Sequence, residues 1–216
     1  MSRLEPRGAF ISLEGGDGAG KSTAIAALAT VLEQQGIAFK RLREPGGTAT
    51  GEAIRELLLQ RHDLAIAPHC ELLLMFAARA QLLAQEIEPA LGAGMWVLCD
   101  RYTDSSFAYQ SAGRGLAWDL VAELEQRFAA RQPDLTVLLD VAPETALQRR
   151  LGSSAPDRIE REALSFFAAV RAGFLRRAKE APARVQVIDA AQAQPQVIAA
   201  VTQALRDFLQ QRHAHA

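Results

Sequence analysis

"SLEGGDGAGKSTAIAAL", residues 12–28, sets four glycines and a lysine between an apolar run and a helical pattern. Glycine costs order, so a cluster of it where a helix should be starting means the backbone itself is needed. Residues 15–22 spell G-x-x-x-x-G-K-S, a pattern that follows a predicted strand and opens a predicted helix. In that setting Gly15, Gly16, Asp17, Gly18, Ala19 and Gly20 turn their backbone N–H groups inward as a nest for phosphate oxygens. The helix that follows, beginning Lys21-Ser22-Thr23, adds the partial positive charge of its N-terminus. Lys21 supplies a mobile cation for the outer phosphates, and Ser22 a hydroxyl for Mg²⁺. The stretch marks a P-loop nucleotide-binding protein.

Outward from this loop, short apolar runs alternate with longer helical patterns. Strands are predicted at 8–14, 38–44, 95–100, 134–140 and 184–189. Helical patterns occupy 21–35, 68–91, 116–130, 143–151, 160–180 and 195–211. Ile25, Leu28 and Leu32 share a face of the first helix, which Gly36 stops. Strands alternating with helices imply βαβ units, hence an α/β fold of three layers, α/β/α, around a five-stranded parallel sheet. The 216 residues suit a single domain, 1–216, with one short interruption, "LGSSAPD" at 151–157.

Composition narrows the partners. Net charge is -1 with 49% hydrophobic residues, which argues against a general nucleic-acid binder and leaves room for a local basic pocket. Arginine outnumbers lysine 21 to 3, and one of the three lysines is Lys21. No segment has the length of a membrane span, and "MSRLEPRGAF" lacks the apolar centre of a signal peptide, so a cytoplasmic protein with no membrane partner is expected. Cys70 and Cys99 have no metal spacing and are read as free, buried thiols. His213 and His215 are read as parts of a frayed tail.

The strand ends carry the remaining chemistry. "MWVLCD" ends in Asp100, where a carboxylate can hold Mg²⁺ directly or through water. Asp140 ends its strand in the same way, but Asp100 is preferred because Arg101 follows at once. Arg43 ends the second predicted strand, so two guanidiniums meet at one edge of the sheet, an arrangement suited to gripping a second phosphate. On the helix "ELLLMFAARAQLL" (71–83), Leu72, Phe76, Arg79 and Leu83 share a face that is otherwise apolar. A guanidinium there needs a partner, either a ligand or a buried carboxylate.

"REPGGT" (43–48), "DRYTDSSFAYQ" (100–110), "GRG" (113–115) and "DRIE" (157–160), together with the phosphate loop, resemble thymidylate kinase of the bacterial type. The likeness runs in register along essentially the whole chain. It implies transfer of the γ-phosphoryl of ATP to dTMP with Mg²⁺, in a homodimer. By the same resemblance Arg43 and Arg101 hold the dTMP phosphate, with Pro45 and Arg55 close by. Arg79 reads the thymine edge, Ser106 and Gln110 approach the base, Tyr109 lies near the sugar, and Glu14 sits beside the phosphate loop. Relatives commonly carry phenylalanine four residues before this arginine. Here that slot is Met75, so either Met75 or Phe76 packs on the base.

The implied chemistry is positioning and charge neutralisation, because the acceptor oxygen is already ionised near neutral pH. The phosphate loop has no arginine, so one is expected from a lid at about 149–158, "RRLGSSAPDR". Arg149 and Arg158 are favoured over Arg150, and relatives often carry an arginine where this chain has Leu151 and Ser153. Two other readings stand beside this one. A deoxynucleoside kinase would use Glu14 as base, and a nucleotide-dependent switch would bind without transfer.

Overall fold

A computed structural model describes residues 7–150 and 157–214. Five strands form one sheet: β1 (Phe10–Gly15), β2 (Phe39–Arg43), β3 (Trp96–Asp100), β4 (Leu135–Asp140) and β5 (Val185–Asp189). All pairings are parallel, in the order β2-β3-β1-β4-β5. The central strand β1 is buried along its whole length, whereas the edge strands β2 and β5 are partly open. Each strand lies within two residues of its expected bounds, because a strand buried on both faces must be written in apolar residues.

Alternation along β1 divides the core. Ile11 and Leu13 face α1 (Lys21–Gln34) and α9 (Gln194–Ala214), packing with Ile25, Leu28, Leu32, Val201 and Leu205. Phe10 faces the opposite layer and packs with Leu72 and Phe76 of α3 (Pro68–Leu82) and with Val121 of α6 (Trp118–Phe128). That second layer also holds α2 (Ala49–Leu59) and α8 (Leu164–Glu180), which share a cluster containing Leu58, Tyr109, Phe166 and Phe174. Gly36 closes α1 at φ 66°, the left-handed conformation expected of it.

Some expectations are corrected. The helix expected over 68–91 is not regular: α3 runs into a π-helical turn at Leu83–Ile87 before α4 (Glu88–Gly92). The helix expected from 160 begins at Leu164, while α7 (Pro143–Arg150) matches its prediction. Two helical segments were not foreseen. One is α2, whose N-cap Thr48 accepts from Gly51 N. The other is α5 (Thr103–Ser106), which continues into a π-helical stretch, Phe107–Gly113. Cys70 is exposed, in the first turn of α3, so only Cys99 is the buried thiol expected. The centre of the expected lid, 151–156 with Leu151 and Ser153, lies outside the described residues, as do His215 and the side chains of Arg150 and His213.

Candidate active site

The phosphate loop joins β1 to α1 at the carboxyl edge of the sheet, and two of its glycines are required there. Gly15 sits at φ 137°, where an added Cβ would fall 2.5 Å from the Leu139 carbonyl oxygen. Gly20 caps α1 in the left-handed region at φ 96°, strained for any other residue. Lys21 folds over the loop, with Nζ donating to Gly15 O at 3.1 Å and Gly16 O at 3.0 Å, and pairs with Asp17 at 3.6 Å. Burial, and the neighbouring Arg101, hold the Lys21 ammonium below its ordinary value. Burial would raise the Asp17 carboxyl, but Arg101, Lys21 and the Tyr109 hydroxyl hold it well below the usual range.

Register brings the other strand ends alongside. Arg43 and Leu13 both lie opposite Asp100 in the ladder, so β2 and β3 finish level with each other and two residues short of the end of β1. A cavity of about 400 Å³ opens there. Its wall takes Asp17, Gly18, Gly20, Lys21 and Ser22 from the loop, Arg43 from the end of β2, and Glu44, Pro45 and Arg55 from the segment after it. Met75 and Arg79 line it from α3, and Asp100, Arg101, Ser105, Ser106, Tyr109 and Gln110 from beyond β3. Arg149, Asp157, Ile159 and Glu160 complete it. Most of the expected site residues therefore meet in one space of the size usual for a small-molecule site.

Several expected residues stand outside that wall. Gly15, Gly16 and Ala19 build the loop from behind, and Thr23 lies exposed in the first turn of α1. Glu14 is fully buried, accepting from Tyr102 N at 2.7 Å and Ser105 Oγ at 2.6 Å. Burial and the nearby Asp104 push its carboxyl up to about 8. Phe76 lies beneath the Arg79 guanidinium, 4.7 Å from ring centroid to Cζ, so it is Met75 that faces the cavity. Arg158 turns away, donating to Leu58 O at 2.7 Å and pairing with Glu71.

The arginines of the cavity wall are held by carboxylates and by backbone carbonyls. Arg79 is 2% exposed and pairs with Glu44, Nε to Oε2 at 2.8 Å, while Nη1 donates to Ser106 Oγ at 3.0 Å. The buried partner that its apolar face demanded is thus present, and the guanidinium still borders the cavity. Burial pushes the Glu44 carboxyl up against the pull of Arg79. Arg43 pairs with Glu52 at 2.9 Å, and Arg55 donates to Pro45 O at 2.9 Å, next to a cis Glu44–Pro45 bond. Arg101 adopts φ 69°, and its guanidinium reaches Gly15 O at 2.9 Å, Tyr109 Oη at 3.1 Å and the Asp17 carboxylate. That backbone is uncommon for a residue with a side chain, and it aims the guanidinium at the phosphate loop. Arg149 lines the cavity while donating to Ala190 O at 2.7 Å.

The residues fit a hydrated divalent cation. Asp100 Oδ1 is buried without a hydrogen-bond partner and borders the same cavity as the Ser22 hydroxyl. Asp140, the other candidate, is occupied by a bidentate pair with Arg171 at 2.7 and 2.8 Å. Among the described residues no three His, Cys, Asp or Glu side chains form a metal cluster.

Three glutamates that hold the site's polar side chains in place escaped the sequence reading. Glu44 and Glu52 hold the arginines, and Glu71 gathers Gln110, Arg114 and Arg158. Only Glu44 carried a signal, its place inside "REPGG".

Known proteins resemble the chain along most of its length. A family model described as thymidylate kinase matches residues 13–201. A thymidylate kinase of Thiobacillus denitrificans is 52% identical over 204 residues, spanning 93% of this chain and 98% of that protein. One of Hahella chejuensis is 46% identical over 200 residues, spanning 92% of this chain and 96% of that protein. Among solved structures, the thymidylate kinase of Ehrlichia chaffeensis superposes with a TM-score of 0.74 at 32% identity, covering 93% of this chain and 99% of that one. With the phosphate loop and the arginine-lined wall inside the matched region, the chain belongs to the thymidylate kinase family.

Proposed function

We propose that the chain transfers the γ-phosphoryl group of ATP to dTMP, giving dTDP and ADP, with the two nucleotides held at opposite ends of the one cavity. The observation that carries this reading is the meeting of the phosphate loop with Arg43, Arg55 and Arg101 in that space. A nucleotide-dependent switch needs the loop but has no use for a second set of guanidiniums. A deoxynucleoside kinase would need a base at the acceptor, and Glu14 is buried and engaged with Tyr102 and Ser105.

A phosphate oxygen of dTMP bonds to the γ-phosphorus as the bond to the β–γ bridging oxygen breaks, and that oxygen leaves on ADP. The acceptor oxygen is already anionic near neutral pH and the bridging oxygen leaves as an anion, so no proton has to be removed. The loop N–H groups and Lys21 bind and neutralise the donor phosphates. Arg43 and Arg101 orient the acceptor, with Pro45 shaping its pocket and Arg55 adding charge. Arg79, Ser106 and Gln110 face the base, Met75 packs beside it, and Tyr109 borders the sugar. Ser22 and Asp100, the latter directly or through water, would hold Mg²⁺, which when bound shields the β and γ oxygens from the incoming anion. Arg149, already on the cavity wall, is the arginine best placed to reach ATP from a lid at about 149–158, and Arg158 anchors that segment through Glu71.

The same reading makes the chain a cytoplasmic homodimer; among the described residues no helix is long and apolar enough to cross a membrane. The test of function is a panel of dTMP, dCMP and thymidine with ATP and Mg²⁺, following ADP. Turnover of dTMP without turnover of thymidine is expected. Turnover of thymidine alone, or nucleotide binding with no product from any acceptor, would reverse the proposal.

A further inference from the structure

Glu71 lies in the first turn of α3, 1% exposed, and has no part in phosphoryl transfer. Its carboxylate gathers donors from two distant segments. Oε1 accepts from Gln110 Nε2 at 3.0 Å and Arg114 Nε at 3.2 Å. Oε2 accepts from Arg114 Nη2 at 3.2 Å and Arg158 Nη2 at 2.5 Å. Arg114 is fixed in turn by Glu162 and by the Phe166 ring, 4.7 Å from its Cζ. Burial works against the charge on Glu71, but the hydrogen bonds from Arg158 and Gln110 and the charge of Arg114 hold the carboxyl below its ordinary range.

A carboxylate in this state only accepts hydrogen bonds. The Gln110 amide nitrogen is therefore turned towards Glu71, which takes one of its two N–H groups, and the carbonyl oxygen Oε1 is left on the opposite side as the acceptor of a residue that lines the cavity. An amide turned the other way would offer a donor instead. Pyrimidine rings differ at this point. Thymine presents an N–H between two carbonyls, and cytosine presents a bare ring nitrogen beside an amino group.

We propose that Glu71 is a positioning residue for base selection, fixing the direction of the Gln110 amide so that the site accepts a hydrogen bond from the base and prefers a thymine-type edge to a cytosine-type edge. This rests on the reading of the cavity as the dTMP site. The arginines on Glu71 give the direction its permanence, because rotating the Gln110 amide would place a carbonyl oxygen against a buried carboxylate.

E71Q tests it, since an amide of the same shape both donates and accepts and lets Gln110 turn either way. At saturating ATP the ratio of kcat/KM for dTMP over dCMP should fall about tenfold in E71Q, the worth of one misdirected buried hydrogen bond. In a Q110M background, where no amide remains to be turned, adding E71Q should leave that ratio unchanged within about twofold. E71D keeps an acceptor-only group and should hold the ratio near that of the wild type even if its melting temperature drops, so it decides the matter should E71Q not fold. An unchanged ratio in E71Q, an equal fall in the Q110M background, or a collapsed ratio in E71D would overturn the proposal. A wild-type enzyme with no turnover of dTMP would overturn the reading of the site itself, a result separable from all of these.

Discussion

At the donor end of the cavity the anion-binding groups are backbone N–H groups, aimed by glycines at φ 86° and φ 96° that need no distant partner. At the acceptor end the binding groups are side chains, and several are held by residues far away in sequence: Arg79 by Glu44, Gln110 by Glu71, and Arg101 by the phosphate loop itself. The donor end is thus a property of eight consecutive residues. The acceptor end is a property of the fold, and it depends on charges that must stay paired once buried.

The contrast is most exposed to attack at the donor end. Lys21→Met should lower kcat by about 10²–10³-fold or more, the usual loss when a group stabilising transition-state charge is removed. The fold should survive, because Asp17 keeps Arg101 and Tyr109 as partners. Circular dichroism and single-turnover kinetics check the two halves of that statement, and a variant with near-normal kcat would break it.

At the acceptor end the largest expected effect is on stability. Arg79→Met leaves Glu44, 6% exposed, without its partner and should cost about 3–5 kcal/mol in urea unfolding. Arg43→Ala removes a pair whose side chains are 46% and 45% exposed and should cost about 0–1 kcal/mol. Equal losses in the two variants would erase the distinction between a buried holder of the base pocket and an exposed clamp for phosphate.

Glu14, beneath both ends, gives a pH-dependent test. Its folded carboxyl titrates at about 8 instead of 4.5, so between those values the folded chain binds a proton that the unfolded chain has released. Its contribution to stability is therefore complete below pH 4.5 and is lost as pH rises towards 8. Glu14→Gln cannot titrate, and its stability relative to wild type should rise steadily across that window when denaturation is followed from pH 5 to pH 8. A difference that is flat or falls with pH would show Glu14 ionised in the folded chain.

How much of this could be read from sequence follows the same division. The loop declared itself because Gly15, Gly20, Lys21 and Ser22 act at fixed spacing within one turn of chain. The five strands were legible because a sheet covered on both faces writes itself in apolar runs. By contrast, α2 hides behind "PGGT", although Thr48 with Glu52 close behind is a helix-start signal that could have found it. The stretch Phe107–Gly113 follows no regular helical period, since it winds as a π-helix. The pairing of Glu71 with Gln110 spans 39 residues, and no local pattern encodes it. Cys70 came out exposed because cysteine's usual burial is a tendency of the residue type, while its position early in α3 decided the outcome.

The central claim, that side chains at the sheet edge grip a second phosphate independently of the loop, is tested most directly by calorimetric titration of Arg43→Ala. The Arg43 side chain hydrogen-bonds Glu52 and Pro45 and none of the phosphate-loop residues, so its removal should leave the loop intact. The dTMP affinity should fall about tenfold or more, the worth of a lost charge-assisted contact, while ADP–Mg²⁺ binds as in wild type. Undiminished dTMP binding, or an equal loss for both nucleotides, would contradict it.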